Sequence, residues 1–426
     1  MSFIRYFMSL NAKELNEILS VAEHRILQSS QHIEEWSDWK SSGFVDGSYV
    51  VDERKGALVT VFSVASLYVN KEGRITKIKG VMKGSKEPIP FILFPRFNSE
   101  VRCSILMKSL ELLAALDLIR KGCEYVYIDG SYLSLLLSPS SIVRIIFKDI
   151  KSSLINNINN VIIYFKEFID KVYESVETTN KNARWKFIEL LSVLVSNIQG
   201  IYRRLVNELS VRIDSSLRKN LFDYIALALE ENLSLVLSNI LLEESKDNDS
   251  KIFWIAKDTE SRSLAEALGL IGWYTDTSLL DYVWRAKKEA LLDVSKIAPL
   301  KPVSPLRGTM VGEKGDLIYE PTTALRFYRR WGGYKMWYFK LSKTGTVLQL
   351  SYPARYGKSS GEEAVSILYE LRDERHGYPK PLAYVHHTAV LSQDLARLIG
   401  DESWKNARDP LIRSLLSSSG RRVSGL

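Results

Sequence analysis

The stretch SGFVDGSYVV at residues 42–51 has a counterpart at 125–134, YVYIDGSYLS, and in both an apolar, β-prone run delivers an aspartate followed by Gly-Ser-Tyr. An Asp-Gly pair after a strand is the ordinary chemistry of a turn, because Asp bonds to nearby backbone and Gly accepts positive φ. Two strands of one sheet that end alike, however, set their carboxylates side by side. Asp46 and Asp129 are therefore expected each to close a strand and to face one another.

Working outward from the pair, ALVTVFSVASLYVN at 57–70 reads as a long strand between turns, and RITKIKGVM at 74–82 as a third. From about 100 to 120 the apolar positions 105, 106, 110, 112, 113 and 116 keep a helical spacing, and Gly122 supplies a cap. The order is strand, strand, strand, helix, strand. A further helix precedes it, with Leu15, Ile18, Leu19, Ala22 and Ile26 on one face. Glu111 sits in the helix before the second DGSY, among Leu110, Leu112, Leu113 and Ala114, so a carboxylate interrupts an apolar surface.

Three carboxylates gathered within a few ångströms repel and raise one another's pKa unless cations neutralise them. Oxygen ligands without cysteine favour Mn²⁺ or Mg²⁺, and two such ions roughly 3.5–4 Å apart clamp the attacking water and leaving oxygen of a phosphodiester. Strand Asp, helix Glu, strand Asp is the layout of ribonuclease-H-like nucleases, with a mixed α/β sheet carrying the metals at its edge. The fold expected is thus α/β and ribonuclease-H-like, with flanking helices.

Residues 141–250 change character, with apolar positions 187, 191, 194, 198, 201 and 205 in helical period and almost no Gly or Pro. They read as an inserted block of three or so long helices, packing being the simplest account of them. The division expected is 1–140 as the first part of the nuclease core, 141–250 as the insertion, 251–400 as the second part, and 401–426 as a tail. In the second part KIFWIAKD at 251–258 is a strand, SRSLAEALGLIGW at 261–273 a helix, and MWYFKLSKTGTVLQLSYP at 336–353 a hairpin. HGYPKPLAYVHHTAV at 376–390 concentrates three of the five histidines with Tyr378. Such groups can orient water, bind metal or hold a phosphate oxygen, and surface histidines on a loop are the competing account.

Charge adds a partner class. The formal net charge is +8, and residues 301–426 hold 20 Lys and Arg against 12 Asp and Glu, which accounts for the whole excess. A basic final third suits a polyanion, although ordinary protein surfaces are often mildly basic too. Within it ALRFYRRWGGYKMWYFK at 324–340 interleaves Arg326, Arg329 and Arg330 with aromatics, a pattern that can track and stack single-stranded DNA or simply fill a core. Lys257, at a strand end, is a candidate phosphate contact, or else the partner of Asp258 or Glu260. Gly357-Lys358-Ser359 imitates the end of a phosphate-binding P-loop, but Tyr352 stands where the motif needs glycine. Cys103 and Cys123 have no partners at zinc-ligand spacing and read as small buried residues. No apolar run looks fit to span a bilayer and the first residues lack signal-peptide features, so a cytoplasmic protein without membrane partners is expected.

FVDGSY at 44–49, Glu111 with YVYIDGS at 125–131, IAKDTESRSLAEALG at 255–269 and GYPKPLAYVHH at 377–387, in that order, resemble the NurA family of archaeal and bacterial nucleases. The resemblance implies a manganese-dependent 5′ to 3′ exonuclease and single-strand endonuclease that acts on single- and double-stranded DNA. It further implies a homodimer docked on the HerA hexameric helicase, working in DNA end resection for recombinational repair. Matched residue by residue, it makes Asp46, Glu111 and Asp129 the metal-binding carboxylates and Tyr378 and His386 the C-terminal pair, with His387 the alternative register for the histidine. Two other classes stay open: a non-catalytic DNA-binding or clamp subunit of a helicase complex, and a metal-dependent phosphatase or nucleotidase acting on small substrates.

Overall fold

The Val-, Phe- and Tyr-rich runs on either side of Arg54-Lys55-Gly56 form a hairpin of two twelve-residue strands, β1 (Ser42–Glu53) and β2 (Leu58–Val69). The computed structural model describes residues 12–35, 39–76, 89–94, 96, 98–136, 158–180, 187–210, 215–257, 259–270, 272, 274–303, 327 and 329–418. Before the hairpin lies α1 (Ala12–Ser29). After it come β3 (Ile75–Thr76), β4 (Ile89–Leu93), α2 (Ser99–Arg120) and β5 (Tyr125–Asp129). Residues 77–82 of the expected third strand lie outside the described residues, and β4, which the sequence did not announce, pairs with β2 beside β3.

Among the described residues the sheet has nine strands, in the order β3-β2-β1-β5-β6-β9-β8-β7 with β4 also on β2. Here β6 is Lys251–Ala256, β7 Ala290–Asp293, β8 Tyr334–Lys340 and β9 Leu348–Pro353. The central strands β1, β5 and β6 run parallel, and the flanking ones antiparallel. One expectation is corrected at this point. Asp46 does not end its strand: it pairs with Ala65 in mid-ladder, because β2 goes on supplying partners as far as Glu53↔Leu58. What stops is the parallel neighbour, whose last pairing with β1 is Val45↔Ile128. A crevice therefore opens between β1 and β5 just where Asp46 and Asp129 follow, the position at which parallel sheets present their ligand sites.

Side-chain alternation along the strands feeds two cores. Phe44, Tyr127 and Phe253 point to one face and stack, with centroids 5.0 Å and 5.6 Å apart. They pack with α8 (Ser359–Glu370) and α9 (Lys380–Ala389). Val45, Val126, Ile128 and Trp254 point the other way, against α2 and the three long helices α3 (Ile158–Asn180), α4 (Phe187–Ser210) and α5 (Ser215–Asp247). A third core joins α1, α6 (Ser263–Ala267) and α7 (Asp276–Val283) to β7 and β8. Ile225–Asp247 of α5 is long and apolar enough to cross a membrane, but 94% of its most apolar stretch is buried inside the protein, so it is a core helix. It is tied to α2 by the buried pair Arg102 and Glu230, with Nε–Oε2 at 2.9 Å.

The segment expected as a tail carries the end of α10 (Gln393–Asn406) and all of α11 (Pro410–Leu415), with residues 419–426 outside the described set. Trp404, Ala407 and Leu416 pack with Ala57 and Val59, and a buried charge adds a second anchor. Arg54 is 1% exposed beside the hairpin turn and bonds to Asp52 and, at 2.9 Å, to Asp401, because a buried guanidinium needs carboxylate partners.

Candidate metal centre

By the same alternation Asp46 shares the face of Phe44 and Asp129 that of Tyr127, so both carboxylates rise toward α9. That helix starts at Pro379 and Pro381, both apt for a first turn, and brings His386 in its last turn onto β1. His386 Nδ1 lies 2.7 Å from Asp46 Oδ2. His387 stands beside it with ring centroids 5.8 Å apart, so of the two registers it is His386 that faces the aspartate. Asp46, Asp129 and His386 each offer one ligand atom within 4.8 Å of one another.

Glu111 arrives from the opposite side of the sheet. It is 3% exposed on α2, and what lets it reach the crevice is the missing side chain at Gly47, where a Cβ would lie 2.9 Å from Glu111 Oε1. The two DGSY copies thus use their glycines differently. Gly47 lies within a strand and makes room, whereas Gly130 adopts φ 128° and turns the chain after Asp129, its N–H donating to Ile255 O at 2.7 Å.

The electrostatics are those of a crowded acidic site. Burial, reinforced by the charge of Asp129, pushes Asp46 up to about 6 against the pull of His386 and Lys257. Burial and the charges of Asp46 and Asp129 push Glu111 well above the usual carboxylate range, with Lys108 and the Gly47 amide opposing. Lys257 Nζ lies 2.9 Å from Asp129 Oδ2 and 5.1 Å from the centroid of the Tyr378 ring. Burial opposes its charge, but Asp129 outweighs burial and holds the ammonium above its ordinary value. The Tyr378 hydroxyl is buried beside Lys257, and burial, then Asp129, raise its pKa against the pull of that ammonium. Behind Asp129 a cavity of about 20 Å³, lined by Lys108, Glu111, Ser131, Ser134 and Trp254 among others, has room for one water. Lys108 was not foreseen; its place one turn before Glu111 on α2 is the signal in the sequence that could have found it.

Two carboxylates and an imidazole, gathered from two strands and a helix, fit a hard divalent cation. The basic aromatic stretch is placed differently. Phe327, Trp331, Trp337, Tyr338 and Phe339 are core residues, so they do not stack on a ligand. Arg330 pairs with Glu243 of α5 and lies 5.3 Å from the Trp331 ring, Arg329 is exposed on the same turn, and Arg326 falls outside the described residues.

A family model described as the NurA domain matches residues 41–391. The chain belongs to the NurA family. No curated protein matches it. Among solved structures this NurA-family chain resembles the NurA nuclease from Sulfolobus solfataricus, at 16% identity and TM-score 0.53 over 94% of this chain and 96% of that one. It also resembles a NurA bound to dAMP and manganese, at 16% identity and TM-score 0.62 over 96% and 98%. A NurA with manganese matches at 17% identity and TM-score 0.60 over 94% and 99%. At these identities the likeness speaks for the fold.

Proposed function

We propose that this protein is a manganese-dependent deoxyribonuclease of ribonuclease-H-like fold, cleaving single- and double-stranded DNA as a 5′ to 3′ exonuclease and single-strand endonuclease. Strand order supports the fold: an antiparallel hairpin whose first strand continues into two parallel neighbours is the ribonuclease-H arrangement. The observation that carries the activity is the meeting of Asp46, Asp129 and His386 within 4.8 Å, from strands and a helix far apart in sequence. The manganese and dAMP held by structural relatives point the same way.

Asp46, Glu111, Asp129 and His386 are the residues that would hold manganese, Mg²⁺ being the alternative ion. Bound there, the ion supplies Lewis acidity that activates water and offsets charge on the scissile phosphate. His386 commits Nδ1 to Asp46, which leaves Nε2 to face the ion, a water or the leaving oxygen. The Tyr378 hydroxyl can donate to a phosphate oxygen, and Lys257 beside it can follow as a point charge. Arg329 and Arg330 serve as backbone contacts farther along the DNA. Action as a homodimer with a HerA-type hexameric helicase in DNA end resection completes the reading and rests on family membership.

The test is end-labelled single- and double-stranded DNA incubated with Mn²⁺, with Mg²⁺ and with chelator, beside Asp46→Ala and Asp129→Ala. Degradation that requires metal and both aspartates is expected. Intact DNA in every lane, with a HerA-type helicase also supplied, refutes catalysis and leaves a DNA-holding subunit.

A further inference from the structure

One ligand of the cluster, Asp129, is already engaged by a cation that belongs to the chain. The ladder aligns Asp129 with Ile255, so Lys257, two residues on and just beyond the end of β6, falls on the same face as the carboxylate that closes β5. Its ammonium lies 2.9 Å from Asp129 Oδ2, while the neighbouring Asp46 carboxylate is held by His386. The Lys257 and Asp129 side chains are 33% and 20% exposed, which leaves the ammonium a path to solvent. Lysine is a point charge on a flexible four-carbon stem, and rotamer changes alone carry it several ångströms from a fixed backbone. The Tyr378 ring, with its centroid 5.1 Å from the ammonium, attracts it already and gives it a contact besides Asp129.

We propose that Lys257 is a tethered counterion: it neutralises Asp129 in the metal-free protein, and a divalent ion must displace it to bind. The inference rests on the metal-dependent reading given above and adds a competitor built into the site. Displacement gives the lysine a second task, because an ammonium released from Asp129 at the moment of metal loading is free for a phosphate oxygen. A lysine that only contacted phosphate would leave metal affinity in DNA-free protein untouched. One that only propped Asp129 in place would, when removed, weaken it. A competitor, when removed, strengthens it.

The measurement is a calorimetric titration of Mn²⁺ into chelator-stripped, DNA-free protein at mildly alkaline pH, for the parent, Lys257→Met, Lys257→Gln and Lys257→Arg, with folding checked by circular dichroism. The neutral variants are expected to bind Mn²⁺ about two- to fivefold more tightly, the range that a partly exposed ion pair can contribute. Lys257→Arg should stay near the parent. Two neutral replacements guard against one that fails to fold. Parent protein that binds Mn²⁺ while both folded neutral variants bind it equally or more weakly overturns the counterion. A folded parent that binds no Mn²⁺ at all overturns the metal-dependent reading itself, and the counterion with it.

Discussion

Replacing Gly47 by alanine adds one methyl group at the point where Glu111 of α2 meets β1. The new Cβ would stand 2.9 Å from Glu111 Oε1, 3.2 Å from Glu111 Cγ and 3.1 Å from Met107 Cγ. Ordinary contacts need roughly 3.5–4.0 Å, so the carboxylate must retreat by about 0.5 Å or more. The backbone itself raises no objection, since Gly47 is not in the left-handed region, and alanine there lowers unfolded-state entropy by about 0.4–1 kcal/mol. Overpacking costs about 1–3 kcal/mol, so the net loss of stability should be at most about 2.5 kcal/mol. Catalytic groups must be held to within about 0.5 Å, and a 1 Å misplacement costs about 10²-fold, so DNA degradation should fall between about tenfold and 10²-fold. Initial rates with Mn²⁺, set beside thermal melts of the same samples, read both quantities. Full activity at an unchanged melting temperature would falsify the view that Gly47 admits Glu111 to the centre.

Two further perturbations test the charges. Asp46 is raised to about 6 from 3.8, so in metal-free protein its contribution to stability is complete below about pH 4 and is lost as pH rises through 6. Asp46→Asn removes that slope, so the chelator-treated variant should melt above the parent at neutral pH by at most about 3 kcal/mol, while Mn²⁺ should no longer stabilise it; parallel melting curves from acid to neutral pH would contradict this. Neighbouring glutamates on α5 should behave oppositely in chemical denaturation. Glu230→Gln strands the buried Arg102 and should cost about 3–5 kcal/mol. Glu231, buried with neither oxygen bonded, is pushed up to about 9 by burial, so the parent loses stability as pH rises toward 9 and Glu231→Gln, lacking that loss, should be at least as stable at pH 8.

Much of the centre was legible because its residue types are costly where they sit. Glu111 stands among leucines in a helical period, and a buried carboxylate needs a reason, so it could be singled out without coordinates. Asp129 and the strand leading to it followed from an apolar run closed by Asp-Gly, and the order of four motifs pointed to the family. The position of Asp46 within its strand was not legible, because local composition does not reveal that β2 keeps pairing where β5 stops. For the same reason β4 was missed: five residues that gain a partner only through a hairpin formed earlier in the chain carry little signal of their own. The aromatics at 327–339 look alike in a core or on a DNA-stacking surface, and only burial separates the two. Residues 401–415 read as a polar tail because their anchor, Arg54, lies 347 positions away from Asp401.

His386 and Asp46 meet across 340 positions of chain. At 5–20 residues per second, translation from one to the other takes on the order of 20–70 s, and α9 can dock only after it has left the ribosome. During that interval the Asp46 carboxylate exists without the imidazole that completes its cluster, whatever pairing β1 and β2 have reached. A chain stopped before α9 never acquires it. Synthesis therefore assembles this centre late, and truncated products of the same message carry the sheet without the full ligand set.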